Sequence, residues 1–326
     1  MDSTTPKIKT SLILWTLSAA ALFILSLITG RYPLSVHGLL QGDHLQTQVF
    51  LTLRLSRTLT ALIGGFSLGV SGFVFQCVFR NSLASPDIIG ISSGAGTGAA
   101  FGILFAGGAL SVIFFSFAGA LLALLLVIAL SSFDKSRKSS TFVITGIIIH
   151  SVAQAALMCM KVLADPEKEL ASIEYWIMGS LNGITGDRIA PNLILCVISV
   201  LFLFFLYRQT MLLTLGEEEA KMLGVNVFRT RFLILLAASF AASSVVSLTG
   251  LISFISLLPA HIARQIAKDS SRSAMFLSGA AGSCILLLAD IAARSIASSE
   301  LPLSIFTSFI GAPVLLIYLF HGRQDE

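Results

Sequence analysis

The chain has 326 residues, of which 55% are hydrophobic and 12% charged, with a formal net charge of +4 and a mean hydropathy of +0.90. Soluble domains carry about 25% charged residues, so this chain has too few charges to solvate a 34.6 kDa globule, and a soluble enzyme is excluded. The basic residues form no patch interleaved with aromatics, which excludes a nucleic-acid interface and leaves their distribution to be read as a membrane-topology signal.

In chain order, Lys7 and Lys9 precede an uncharged run from Thr10 to Gly30. The run is longer than a signal-peptide core and lacks a cleavage site, so it is predicted to be a retained first span. Thr58 to Phe79 is the second. Ile88 to Phe133 is uncharged and long enough for two helices, with Gly107-Gly108 as the turn between them. Ser139 to Met160 and Ile189 to Tyr207 each match one spanning helix. Phe232 to Ala260 is long for one helix and short for two, with Thr249-Gly250 as a break and Pro259 near its end. Ser273 to Ala289 and Leu301 to Phe320 complete the set.

The positive charges decide the count, because Lys and Arg are enriched in cytoplasmic loops. Ten segments with both termini inside place Lys7, Lys9, Arg80, Lys135, Arg137, Lys138, Arg208, Lys221, Arg229, Arg231, Arg264, Lys268, Arg272 and Arg323 on the cytoplasmic side, the larger share of the 21 basic residues. Nine segments divide them almost evenly. The expected architecture is therefore an all-α polytopic membrane protein of about ten transmembrane helices. Residues 1–326 are read as a single membrane domain, with 251–263 as a short, incomplete eighth helix.

Gly65 and Gly69, and Gly94, Gly98 and Gly102, recur at four-residue spacing, which suits close packing of helix backbones or a backbone-lined path. Asp290 and Arg294 stand one turn apart, as expected of an ion pair that shields a membrane-buried carboxylate. Cys77, Cys159, Cys196 and Cys284 lie singly in apolar stretches, and His150 with Gln154 has no second ligand nearby, so no metal site is expected. No phosphate-binding loop, zinc motif or catalytic constellation is present, so this chain is not expected to hydrolyse ATP itself. An ion-coupled secondary carrier would need acidic residues across its spans, and these are missing. The cytoplasmic segment at about 214–228, bounded by Gly216 and Gly224, reads as a short amphipathic helix. Ala220 and Leu223 are its apolar residues, and Glu217, Glu218, Glu219 and Lys221 surround them. Such a helix is either a solvated loop element or a docking element for a cytoplasmic partner.

Ordered motifs from Arg54 to Pro313 carry a resemblance. They are Arg54-Leu-Ser-Arg-Thr58, Asn81-Ser-Leu-Ala-Ser-Pro-Asp-Ile-Ile-Gly90, Leu215 to Val225, Gly250 to Arg264 with Pro259-Ala-His261, Leu288 to Arg294, Glu300-Leu-Pro302 and Gly311-Ala-Pro313. The chain resembles the FecCD-type permeases of iron-siderophore, haem and cobalamin ABC importers. That resemblance implies a type II ABC importer permease fold and pairing with a second permease, identical or paralogous. It also implies two cytoplasmic ATPase subunits that hold ATP and Mg, an external substrate-binding protein, and a place in the bacterial inner membrane. It assigns Gly216, Glu217, Glu218, Glu219, Ala220, Leu223 and Gly224 to ATPase coupling, Arg54, Arg57 and Arg294 to binding-protein docking, and Ser139 and Ser140 to the cytoplasmic gate. The motif at 81–90 and Trp176 to Leu181 resemble siderophore members, so ferric siderophore is the expected cargo and cobalamin or haem the alternative. The chain departs from the family pattern at Ser56 and Ser82, where proline is usual, at Ser256, where glycine is usual, and in the spacing before His261.

Overall fold

In lipid, an apolar run satisfies its own backbone only as a helix or within a closed barrel, and among the described residues the chain is helices and turns with no strand. The computed structural model describes residues 6–321 apart from 31, 33–34, 36, 38–40, 134–138, 269 and 297–298. The first helix, α1, is Pro6–Ile28. Helix α2 (His44–Gln48) passes through a π-helical stretch, Val49–Leu55, into α3 (Ser56–Phe79). Helix α4 (Ile91–Phe101) ends in a second π-helical stretch, Gly102–Ala106, before α5 (Ala109–Ser132). There follow α6 (Ser139–Leu163), α7 (Glu169–Met178), α8 (Gly186–Phe205), α9 (Tyr207–Leu215) and α10 (Glu217–Met222). The last four are α11 (Val227–Thr249), α12 (Leu257–Ala267), α13 (Arg272–Ser295) and α14 (Leu303–His321).

Six of these runs are long and apolar enough to cross a membrane unaided: α1, the continuous run His44–Phe79, α5, α6, α11 and α13. A seventh is the pair α8 and α9, bent by 55°. Ile91–Ala106, the Leu303–Leu316 part of α14, and α12 with its 11 residues are shorter apolar helices. The apolar segments therefore follow the predicted order, including the turn at Gly107 and Gly108, both at positive φ.

Two boundaries differ from the sequence expectation. The second span begins well before Thr58, because Asp43 caps α2 by accepting from the Leu45 and Gln46 N–H groups and the chain then never leaves helical geometry. Those bonds, chiefly from Gln46, hold the Asp43 carboxyl below the usual carboxylate range. The short eighth helix is not 251–263 but Leu257–Ala267, preceded by a break that starts at Gly250 (φ 73). Pro259 thus lies in the first turn of α12, where its missing N–H costs nothing, rather than at the end of a helix. Arg264 anchors α12 to α3, with its guanidinium 5.3 Å over the Phe73 ring and Nη2 3.3 Å from Cys77 Sγ.

The bundle centre is set by backbone contact. The most apolar windows of α3 and α13 are each 83% buried, against 11% for α1, so α3 and α13 are central and α1 peripheral. A Cβ on Gly65 would lie 2.5 Å from the Gly282 carbonyl oxygen, and Ser278 Oγ donates to the Gly69 carbonyl at 2.7 Å. Ser283 Oγ likewise donates to Leu62 O at 2.7 Å. Helices α4 and α5 meet the same way, a Cβ on Gly94 falling 2.5 Å from Gly119 O. Without water to drive apolar association, such contact and the hydroxyl bonds it permits are what hold membrane helices together. The departure at Ser256 does not open a gap, since Gly72 presses on the Ser256 carbonyl from α3.

Gly65→Leu is predicted to separate α3 from α13 and to cost at least the roughly 1–3 kcal/mol of an overpacked core. It should appear as a lower melting temperature and loss of the monodisperse peak in detergent. Gly96→Ala, whose Cβ would meet Leu157 at 3.7 Å and Leu251 at 3.9 Å, should behave as the parent. A Gly65→Leu variant melting with the parent would rule out the seam.

Candidate functional site

The two ends of the bundle carry different chemistry. At one end α10 is a separate short rod. Gly216 (φ 145) opens it and Gly224 (φ 80) closes it, both in conformations that an L side chain rarely adopts. Its C-terminus is a Schellman turn: Val225 N–H bonds Ala220 O at 3.0 Å and Gly224 N–H bonds Lys221 O at 2.9 Å. Glu217, Glu218 and Glu219 occupy the first turn, where the helix dipole favours negative charge. The two apolar residues read from sequence as one surface point apart. Ala220 is fully buried against the bundle, whereas Leu223, already beyond the helix, is exposed together with Met222. Lys221 pairs with Glu218 in solvent, a contact worth little. Glu217 instead reaches inward to Arg231, with Oε1 2.6 Å from Nη2.

At the opposite end the structure brings Arg54, Arg57 and Arg294 together with two carboxylates. Arg54 Nη1 donates to Leu27 O at 2.9 Å and Ile28 O at 2.8 Å, and Nη2 donates to Tyr32 O. Arg294 donates to Thr29 O at 2.9 Å, Ser26 O at 2.9 Å and Ser26 Oγ at 2.6 Å. Both guanidinium groups thus cap the C-terminus of α1, whose last carbonyls have no intrahelical donor. Arg57 Nε donates to Asp290 Oδ1 at 2.6 Å, and Nη1 bridges both Glu300 oxygens at 2.9 and 3.0 Å. Arg294 Nη2 lies 3.1 Å from Asp290 Oδ2. The i,i+4 pair read from sequence is therefore present, but Asp290 is shared with Arg57, which sequence reasoning missed because the two are 233 residues apart. Glu300, named in the sequence only within the Glu300-Leu-Pro302 motif, was not paired with Arg57 for the same reason. All three guanidinium groups engage partners within the chain, and solvent reaches the network at Arg57 and Glu300, 12% and 18% exposed.

Near this end three helix breaks meet. Ser180 N–H bonds Thr249 O at 2.7 Å and Leu303 N–H bonds Gly179 O at 2.9 Å, so the segments after α7, after α11 and before α14 are tied together. Beside them opens a cavity of about 730 Å³, whose mainly apolar wall carries Tyr175, Trp176, Ser180, Asn182, Ser247 and Thr249. Ser139 and Ser140 are the first residues of α6, and their side chains fall outside the described residues. Among the described residues no three His, Cys, Asp or Glu side chains converge as metal ligands.

Removing the central carboxylate is the sharpest test of the network. Asp290→Asn leaves Arg57 and Arg294 under-compensated in a buried site, for which the expected loss is about 3–5 kcal/mol. Glu300→Gln, at the wetter edge, should cost clearly less. Thermal unfolding in detergent would measure both, and equal melting temperatures for Asp290→Asn and the parent would contradict the arrangement.

The geometry agrees with what the chain is similar to. Residues 18–321 match the model of the FecCD transport family. The Fe(3+)-citrate import system permease YfmE of Bacillus subtilis is 34% identical, with 100% of both chains covered. The molybdate import permease MolB of Haemophilus influenzae is 32% identical over 93% of this chain and 94% of its own. The vitamin B12 permease BtuC of Yersinia enterocolitica is 35% identical over 81% of this chain and 79% of its own. Among solved structures, one described as a metal-chelate type ABC transporter in an inward-facing conformation superposes with a TM-score of 0.85 at 30% identity, covering 95% of this chain and 98% of that one. With a family model spanning nearly its whole length, relatives of this kind and a membrane-spanning helical fold in common, the chain belongs to the FecCD transport family and is an ABC importer permease.

Proposed function

We propose that this permease imports a ferric siderophore across the bacterial inner membrane, with both termini cytoplasmic. In this reading it pairs with a second permease, two ATPase subunits bind at α10 and hold ATP and Mg, and an external binding protein delivers the cargo. The observation that carries the coupling part is α10 itself, a rod hinged by two glycines that presents Met222 and Leu223 to solvent while Ala220 and Glu217 hold it to the bundle. Exposed apolar side chains on a charged cytoplasmic element are what a docking surface requires. The gate assignment of Ser139 and Ser140 is supported by their place at the start of α6, on the same side as α10. The docking assignment of Arg54, Arg57 and Arg294 is supported by their clustering at the opposite end, where a carboxylate of the binding protein would reach Arg57 by exchanging with Glu300.

The cargo reading is supported by the motifs at 81–90 and 176–181 and by the Fe(3+)-citrate relative. The relatives named for vitamin B12 and molybdate make those the second reading. Radioiron uptake as a ferric siderophore, in cells lacking the chromosomal gene and complemented with this chain and its neighbouring transporter genes, is expected to be competed by unlabelled ferric siderophore. Competition by cyanocobalamin or molybdate alone would replace the iron reading.

Two variants test coupling. Glu218→Lys with Glu219→Lys, and separately Gly224→Leu, are predicted to reduce uptake at least tenfold and to release the ATPase subunits during purification, with membrane insertion unchanged. Normal uptake in both would refute the docking role of α10.

A further inference from the structure

At the α10 end, one side chain of α11 touches two other elements at once. Arg231 lies near the start of α11 and is 3% exposed. Its Nη2 binds Glu217 Oε1 on α10 at 2.6 Å. Its guanidinium carbon also stands 5.3 Å from the ring centroid of Phe142, in the first turn of α6 and itself 3% exposed. Phe142 meets Phe79, the last residue of α3, edge-on at 6.3 Å, and Phe79 stacks on Phe75 at 6.0 Å. A continuous contact therefore runs from α10 through Arg231 to the start of α6 and on to the central helix α3.

The chemistry of the guanidinium suits this position. Its edge makes directional bonds to a carboxylate while its flat face rests on a ring, so one rigid group joins two partners along different axes. Helix α10 is hinged at Gly216 and Gly224, so it can tilt as a unit, and a pull on Glu217 is carried by the ion pair to a group that is itself packed against α6. The linker between α10 and α11 is only residues 223–226, which keeps Arg231 within reach of Glu217 through such a tilt.

We infer that Arg231 is a positioning residue that transmits displacement of α10 to the start of α6, through its bond to Glu217 and its stacking on Phe142. This rests on the proposal that α10 is the ATPase-docking element. It assigns to this arginine the step between the docking surface and the gate, a step that neither contact alone completes.

The test uses the full transporter with its ATPase subunits in nanodiscs, with Cys77, Cys159, Cys196 and Cys284 replaced by serine and a nitroxide attached at Ile144→Cys, one residue pair beyond Phe142 on α6. In the parent, ATP with vanadate is expected to change the nitroxide spectrum. Arg231→Met should abolish that change while the ATPase subunits still co-purify, and Glu217→Gln should abolish the change as well. Arg231→Lys, which keeps the charge but not the planar face, should retain less than half of it. The exchanged pair Glu217→Arg with Arg231→Glu restores an ion pair but removes the cation from Phe142. It should recover the parent's melting temperature and not its spectral response, an outcome that a merely structural salt bridge would not produce. A full response in Arg231→Met, a full response in the exchanged pair, or no response in the parent overturns the inference. Failure of the underlying docking proposal reads differently: Met222→Asp would then leave ATPase co-purification undiminished.

Discussion

The approach of α3 to α13 is the constraint on which the rest of the molecule depends. Arg57 faces Asp290, Gly65 faces Gly282 and Gly69 faces Ser278, so equal steps forward on α3 and backward on α13 give one antiparallel register along the whole contact. Small residues in the middle allow the backbones to touch. That touch brings a guanidinium and a carboxylate from opposite helices to 2.6 Å at one end of the seam. The charges are tolerable at membrane depth because each is bonded, and they are bonded because the seam is narrow.

From this seam the two working ends diverge in character. At the arginine end, charge is spent on order: two guanidinium groups finish the C-terminus of α1, and a third joins α3 to α13 and to the segment before α14. The helix breaks beside it open a cavity whose wall combines hydroxyls and the Asn182 amide with one acid and one base, Glu167 and Lys168. At the α10 end, glycines bound the rod, and buried Ala220 and the Glu217–Arg231 ion pair hold it to the bundle. One end is tied by a dense network of ion pairs and carbonyl bonds, and the other is joined to the bundle through glycines and one ion pair.

Much of the membrane plan was legible in the chain. Length and apolarity of the runs determine where helices cross, the Lys and Arg distribution favours an even number of segments, and Gly107-Gly108 marks a turn by its chemistry. The glycines bounding α10 and the four-residue glycine spacing were visible for the same reason, since each expresses a local backbone need. What misleads is also local: the break at Gly250 suggests an eighth helix that begins at 251, whereas the chain resumes helical geometry only at Leu257. Leu223 looked like a partner of Ala220, because three-residue spacing implies a shared face only while the helix continues.

The sequence by itself determined the class of molecule, the order of its membrane segments, the short glycine-bounded helix at 216–224 and the pairing of Asp290 with Arg294, all of which follow from residues near one another in the chain. Only the tertiary structure decided that Asp290 also serves Arg57, that Arg54 and Arg294 finish α1, and that Arg231 stands between Glu217 and Phe142. Those contacts join side chains far apart in sequence, and in a bilayer their energy comes from burial beside a specific partner. A linear pattern can show that a charge is misplaced in an apolar run; only the packed helices show what neutralises it.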